Sequence, residues 1–431
     1  MGEVYDGIIV SVGKSWEPIA YSLQRIKPRF AVFLCTDDSC ETVDKVLNEF
    51  PMVPSRYRIV EIPDDPESIG QMVLQCYSAY RWLEEEKRVK PDKILVDPTA
   101  GRKWMSSGVT MIASYLGVAM GYVDVAFKDG KPDPSTMKFV GLGNAYDQTG
   151  FLEIERGIQF FNARSWENAK NTFARIESHN SSMNDFASAL AQYSELMRQW
   201  DQFNHYREDL SPRFKDASHK LRRVSFSDQA FNRVVSVIIE GLERLGNGAY
   251  RLNIEERPNL LLVVDLFLNA ERCIQTGRFD DGVGRLYRAL EALAQYYLRK
   301  DYGIDTSDPN FSQVNPVILE QFRKVKREQL PTQMALEDDY LFLFCAKHDL
   351  LGKAVIIGIN EKDNRPKNVF TDLLRKRNNS IMAHGFEPVE EGLSKKLLSK
   401  IEGLLMNAIG DQFSTLREEL MFPQIPSVFV K

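Results

Sequence analysis

The sequence contains no run of about 18 apolar residues with which to cross a bilayer. Its N-terminus, MGEVYDGIIVSVG, lacks both the basic region and the cleavage-like site of a secretory leader. The expectation is a cytoplasmic protein with no membrane partner. Cysteine is sparse as well. Cys35, Cys40, Cys76, Cys273 and Cys345 show no CxxC spacing, which argues against a zinc site and against a disulfide framework. No GxGxxG follows the first apolar run and no loop has P-loop spacing, so nothing supports a dinucleotide or ATP role. Nor is positive charge in excess. A formal net charge of -5 argues against a broad DNA-coating role, while leaving room for nucleic acid at a local patch. No basic recognition helix stands out, which disfavours a transcriptional regulator. His179, His205, His219 and His348 have no ligand-like partner at i+4. Asp64, Asp65 and Glu67 follow a proline and read as a solvated turn with helix-capping charge rather than a magnesium site.

At 431 residues the chain is long enough for two or three domains. In the first 145 or so residues, short apolar runs alternate with helical stretches. Asp6–Gly13, Arg29–Asp37, Tyr57–Pro63, Asp92–Gly101 and Met120–Phe127 are strand candidates, nearly uniformly apolar as strands covered on both faces should be. Ser68–Val89 and Ser106–Gly117 carry helical patterns. That order predicts a doubly wound α/β domain with a mostly parallel sheet. After Phe139–Gly150 the period becomes helical and stays so. Glu153–Ile176 is spaced like one helix-turn-helix unit, and Arg257–Gly303 reads as two long amphipathic helices broken at Gly277. Further helical blocks surround Met334–Leu351, precede Arg377 and run from Glu391 to about Leu420. The C-terminal part is therefore expected to be a helical bundle.

Two loops of the α/β domain follow strands, where helix N-termini offer N–H groups to anions. They are SVGKSWEP (Ser11–Pro18), with Ser11, Val12, Gly13 and Lys14 at its start, and DPTAGRKWMSSG (Asp97–Gly108). The second supplies the Thr99 hydroxyl, a flexible Gly101 after Ala100, and the cations Arg102 and Lys103. This combination suits a phosphate-bearing ligand lying across the sheet. The plainer alternative is that the glycines make tight turns and the cations are solvated. Trp104 either stacks on a base or packs beneath the next helix.

Near the C-terminus stands RNNSIMAHG, Arg377–Gly385. On an uninterrupted helix, Arg377 and His384 would lie roughly two turns apart on one face. Histidine accepts and returns a proton near neutral pH, and a guanidinium holds two phosphate oxygens. The pair suits RNA cleavage by the substrate's own 2′-hydroxyl, with no metal cofactor. Asn378, Asn379 and Ser380 are polar where a core helix prefers apolar residues, and Gly385 can end the helix. The alternative is a capping histidine beside a solvated basic stretch.

The combination resembles the CRISPR-associated effectors in which an N-terminal CARF domain, a Rossmann-like sensor of cyclic oligoadenylate, controls a C-terminal HEPN ribonuclease. Tyr5–Phe127 carry the likeness loosely, and Leu260–Gln295 with Leu373–Gly385 more closely. The HEPN signature is an arginine followed a few residues later by a histidine, here Arg377, six residues beginning with Asn378, and His384. The resemblance implies an α/β plus all-α protein: a CARF domain over 1–150, a helical linker over 151–250 and a HEPN domain over 251–431. It implies catalytic roles for Arg377, His384 and Asn378. It places the sensor site at Ser11, Val12, Gly13 and Lys14 with Thr99, Ala100, Gly101, Arg102, Lys103 and Trp104. The implied activity is metal-independent endonucleolytic cleavage of single-stranded RNA in type III antiviral defence, leaving 2′,3′-cyclic phosphate ends. The implied assembly is a homodimer, with cyclic oligoadenylate as allosteric activator and no cofactor. Arg288 either braces the bundle or the active site, or pairs with Glu291 or Asp281. The rival reading is a cyclic-nucleotide-sensing module whose HEPN half is catalytically silent and serves to dimerise.

Overall fold

A computed structural model of the chain describes residues 4–326, 329–360, 366–370, 375, 378–380 and 385–428. It divides into two compact units, Met1–Ile154 with Arg175–Asn184, and Glu155–Ala174 with Asp185–Lys431.

The first unit is built on a sheet of β1 (Gly7–Ser11), β2 (Phe30–Cys35), β3 (Tyr57–Glu61), β4 (Ile94–Asp97), β5 (Ala119–Asp124) and β8 (Lys138–Gly143), with β6 (Phe127–Lys128) and β7 (Lys131–Pro132) forming a separate small hairpin. The sheet order is β3-β2-β1-β4-β5-β8, parallel except for β8. All five residues of β1 are buried, because helices cover both faces. Ile9, Val32 and Val96 face one core with α3 (Ile69–Arg81) and α4 (Lys103–Leu116). Ile8, Val10 and Phe33 face the other with α1 (Glu17–Ile26) and α2 (Asp37–Glu49). The doubly wound expectation holds, with an added antiparallel edge. Two glycines, Gly141 and Gly143, weaken the strand signal of β8, and Phe139 on it packs where Gly121 of β5 has no side chain.

The structure adds one bridge that the sequence reading did not single out. Cys35 and Cys40 form a disulfide across the turn from β2 into α2, their Cα atoms 5.4 Å apart. The reversal of direction between strand and helix brings together two cysteines whose spacing in sequence resembles no standard motif. It is one local bridge rather than a framework.

The second unit is helical. It contains α7 (Trp166–Phe173), α9 (Ser211–Leu221), α10 (Gln229–Ile254), α11 (Leu260–Gln275), α12 (Phe279–Tyr302), α13 (Pro316–Val325), α14 (Leu336–Cys345), the short α15 (Gly352–Val355), α16 (Glu391–Ile409) and α17 (Asp411–Leu420), with the strand pair β9 (Ile356–Ile359) and β10 (Pro366–Asn368). Helices α6 (Phe151–Asn162) and α8 (Ser181–Asp201) each contribute most of their length. The break between α11 and α12 falls at Gly277, as the sequence pattern predicts.

Helix α11 is central, and 13 of its 16 residues are buried. A helix apolar on every side belongs to an interior. The three polar side chains it buries are each met by a partner. Asp265 accepts from Trp200 Nε1 at 2.8 Å and lies 3.0 Å from His205 Nε2. Asn269 donates to the Asp201 carboxylate at 3.0 Å and accepts from Arg285 Nε at 3.0 Å. Arg272 donates from Nε to Asp201 at 2.8 Å. Burial alone would raise the Asp265 carboxyl, but the adjoining His205 and Arg272 hold it below the ordinary carboxylate range. This network joins α8 and the turn after it to α11 through charge-assisted contacts that exclude water.

Candidate functional site

The sheet order reverses between β1 and β4, since β1 pairs with β2 on one side and β4 on the other. At such a switch point the loops leaving adjacent strands turn to opposite faces and leave a crevice beyond the carboxyl ends. The loops of this crevice are the two that the sequence singles out. They touch: the Ser11 hydroxyl donates to the Ala100 carbonyl, and a Cβ at Gly13 would stand 2.5 Å from the Gly101 nitrogen. Only glycine permits that approach, and Gly101 is at φ +96°.

Asp97, the last residue of β4, organises the second loop from below. Its carboxylate is buried and accepts from the Thr99 N–H at 2.8 Å and from the Thr99 hydroxyl. The same hydroxyl accepts from the Val123 N–H at 2.8 Å, so it ties β4 to β5. Burial pushes the Asp97 carboxyl up, against the pull of the Ser22 hydroxyl and of the Thr99 bonds.

Above this base lie two adjoining concavities. One, of about 570 Å³, is lined by Thr99, Gly101, Lys103 and Ser106 among others. The other, of about 190 Å³, is lined by Gly13, Lys14, Thr99, Ala100 and Gly101. Tyr122 of β5 lines both. Lys14 and Lys103 are exposed and have no ion-pair partner among the described residues. Helix α4 starts at Lys103, so its free N–H groups open beside these cations. The arrangement can hold an anion between two lysines and a helix N-terminus.

The remaining residues of the two loops are placed otherwise. Ser11 and Val12 are fully buried. Arg102 pairs with Asp64 at 2.6 Å, which gives one member of the Asp64, Asp65 and Glu67 group a partner 38 residues away. Asp65 caps the turn after it, accepting from the Glu67 N–H at 3.1 Å. Trp104 packs against the core formed with α3, with its Nε1 buried and unpartnered. Tyr122 escaped the sequence reading. Its signal is an aromatic at the solvent phase of a strand whose neighbours Met120 and Val123 are buried.

At the C-terminal motif, Arg377 and His384 lie outside the described residues. Asn378 is exposed, in the last helical position before a turn at Asn379. The helix therefore ends by Asn379, which corrects the picture of one uninterrupted helix through RNNSIMAHG. Ser380 is buried and bridges to Glu387 in parallel fashion. The Gly385 N–H donates to the Ser380 carbonyl at 3.2 Å, and the Glu387 N–H to the Asn379 carbonyl at 3.1 Å. A side chain at Gly385 would collide with the Asn379 carbonyl. The residue after His384 is thus held against the second residue after Arg377. Phe386, next in the chain, is 91% exposed. Arg288 pairs with Glu291 at 3.1 Å and donates to Gln295 at 3.2 Å, the ion-pair alternative of the two that the sequence allows.

Among the described residues no helix is long and apolar enough to cross a membrane, and no group of three or more His, Cys, Asp and Glu is placed to hold a metal ion.

Residues 251–408 match a family model described as the Csm6 HEPN domain. No curated protein sequence matches the chain. Among solved structures, the chain is similar to Enterococcus italicus Csm6 bound to cyclic hexa-2′-fluoro-hexa-dAMP. The identity is 12%, the TM-score is 0.51, and 96% of this chain and 98% of that chain are covered. A second structure is Can2 from Sulfobacillus thermosulfidooxidans in complex with cyclic tetra-adenylate, at 13% identity and TM-score 0.24 over 46% of this chain and 68% of that chain. The first similarity extends along both units and is one of fold. The chain joins an N-terminal mixed-sheet domain, through a helical middle region, to a C-terminal helical region that contains the match to the HEPN model.

Proposed function

We propose that this chain, whose residues 251–408 match the Csm6 HEPN domain model, is a metal-independent endoribonuclease switched on by cyclic oligoadenylate in type III CRISPR antiviral defence. The observation that carries the reading is that the HEPN match encloses Arg377 and His384, on a chain whose sheet domain ends in a cationic switch-point crevice. In this reading residues 1–150 sense the ligand, 151–250 link, and 251–431 cleave.

The chemistry is transesterification. The substrate's 2′-oxygen attacks the adjacent phosphorus and the bond from phosphorus to the 5′-oxygen breaks. The proton lost from the 2′-hydroxyl is matched by one gained at the 5′-oxygen. The products are a 2′,3′-cyclic phosphate and a 5′-hydroxyl. His384 moves the proton, Arg377 holds the non-bridging oxygens as charge builds on them, and Asn378 orients the strand. Two chains supply two such sets to one composite cleft, so the working form is a homodimer and the substrate is single-stranded RNA.

In the sensor domain, Lys14 and Lys103 receive ligand phosphates at the start of α4. The Asp97–Thr99–Val123 chain of hydrogen bonds gives the loop a fixed base against which that contact is felt. The ligand activates by binding the active arrangement more tightly than the idle one. The test is substitution in the motif. His384→Ala and Arg377→Ala should each lower ligand-stimulated cleavage by on the order of 100-fold or more. Ligand affinity, measured by calorimetry, should stay near wild type. Wild-type rates in either variant would remove the motif from the chemistry.

A further inference from the structure

The second unit contains a cavity of about 620 Å³ that the motif does not account for. It is formed by α13, the end of α14, the turn after it and α15. Lys324 comes from α13, Lys347 from the turn and Lys353 from α15, so three separate elements each direct a cation to it. Lys326, two residues beyond Lys324, is neutralised by Asp338 at 2.6 Å. Lys324, Lys347 and Lys353 are exposed and have no such partner among the described residues. Among the described residues, the cavity's one carboxylate is Asp349. Three uncompensated cations around one hollow stand out on a chain of net charge -5. Half-buried Phe344 adds an aromatic surface to the wall.

Cations spaced around a hollow with an aromatic wall suit a single nucleic-acid strand, whose phosphates repeat while its bases offer flat faces. A sheltered pocket for a small metabolite would be more enclosed and less charged. We infer that this cavity is a second RNA-binding site, which grips the substrate strand through residues outside the cleavage motif. Lys324, Lys347 and Lys353 hold phosphodiesters, and Phe344 receives a base. The inference rests on the ribonuclease reading for the identity of the strand. It adds a gripping surface separated in sequence from RNNSIMAHG.

The test uses the full-length protein and a fluorescent, fully 2′-O-methylated RNA oligonucleotide, which lacks the attacking hydroxyl and so reports binding alone. Affinity is measured by anisotropy from low to moderate salt. A Lys324→Gln, Lys347→Gln, Lys353→Gln variant should bind at least tenfold more weakly at low salt. Each phosphate contact on a single strand contributes about 0.7 to the slope of log affinity against log salt, so that slope should flatten by about 2. The matching Lys→Arg variant, which keeps the charges, should behave as wild type. Activator affinity, measured with cyclic tetra- and hexa-adenylate, should be unchanged in both.

RNA affinity and salt slope unchanged in the Gln variant would overturn this inference while leaving the nuclease reading standing. So would a change confined to oligomeric state, which assigns the cavity to protein contact, or a parallel loss of activator affinity, which assigns it to the activator. If wild type bound no RNA and cleaved none with activator, both would fall together.

Discussion

Asp339, on α14, offers a quantitative check on the packing of the helical core of the second unit. Its side chain is fully buried and neither carboxyl oxygen has a hydrogen-bond partner. Burial, with Glu291 and Asp338 nearby, pushes the carboxyl from the usual 3.8 up to about 8, and Arg288 offsets only part of this. The sign follows from linkage. A folded-state value above the unfolded one means that the contribution to stability is fully present below about pH 4. It is lost progressively as pH rises through the folded value near 8. Between pH 5 and pH 8 the unfolded carboxyl is ionised while the folded one resists. At 1.36 kcal/mol per pH unit, that window removes about 4 kcal/mol of stability. Asp339→Asn exchanges an unpaired neutral acid for an unpaired neutral amide of the same shape, and so should lose none of it. Carboxylates held below their usual range, such as Glu195 at about 2, act below this window and leave it clear. The assay is hydrogen exchange of amides in α12 and α14, comparing the two proteins at matched pH so that intrinsic rates cancel. At pH 5 their protection should agree within about tenfold. At pH 8 the variant should be better protected by a further factor of 100 to 1,000, the order that about 4 kcal/mol implies. The same ratio at both pH values would mean that Asp339 ionises freely in the folded protein, and the reasoning would fail.

Lys103→Ala should raise the activator concentration for half-maximal cleavage roughly tenfold, for loss of one charge-assisted phosphate contact, with the maximal rate retained. An unchanged midpoint in a dose-response series would move the ligand elsewhere. Gly13→Ala places a methyl group against the Gly101 backbone and should part the two loops, weakening activator binding in calorimetry without lowering the melting temperature of the second unit. Asp265→Ala leaves the buried Trp200 and His205 and the half-buried Tyr206 without their acceptor and should cost about 3 to 5 kcal/mol in denaturant unfolding. Phe386→Ala should reduce cleavage of single-stranded RNA about tenfold if its exposed ring stacks on a substrate base, and an unaltered kcat/KM would deny it that role.

Much of this architecture was legible in the residues because burial writes a simple pattern. β1, β2 and β4 are buried along almost their whole length and read as nearly unbroken apolar runs, the pattern of a parallel sheet covered on both faces and hence of a ligand crevice at the strand ends. The α11 and α12 pair showed in its periodicity and in Gly277. Features that depend on partners far apart in the chain were not legible. Arg102 looked as available as Lys103, and only the folded loop shows Asp64 taking it. The Thr99 hydroxyl suggested a ligand contact, while its use in joining Asp97 to Val123 depends on where β5 lies. β8 hid behind its glycines, and the Cys35–Cys40 bridge behind a spacing that becomes close only at a strand-to-helix turn. Helix α13 did carry a signal, Asn315 as cap followed by Pro316, which a short helix between irregular segments makes easy to pass over.

The most direct measurement is cleavage of an end-labelled single-stranded RNA by the wild-type protein in EDTA, with and without cyclic tri-, tetra- and hexa-adenylate, followed by analysis of the product ends. A ligand-sensing HEPN ribonuclease should cut faster with at least one of these rings, at a rate EDTA leaves unchanged, and should leave 2′,3′-cyclic phosphate. Absence of stimulated cleavage with every ring, in a protein that nonetheless binds one of them, would contradict the nuclease assignment and leave a sensor whose helical half only assembles.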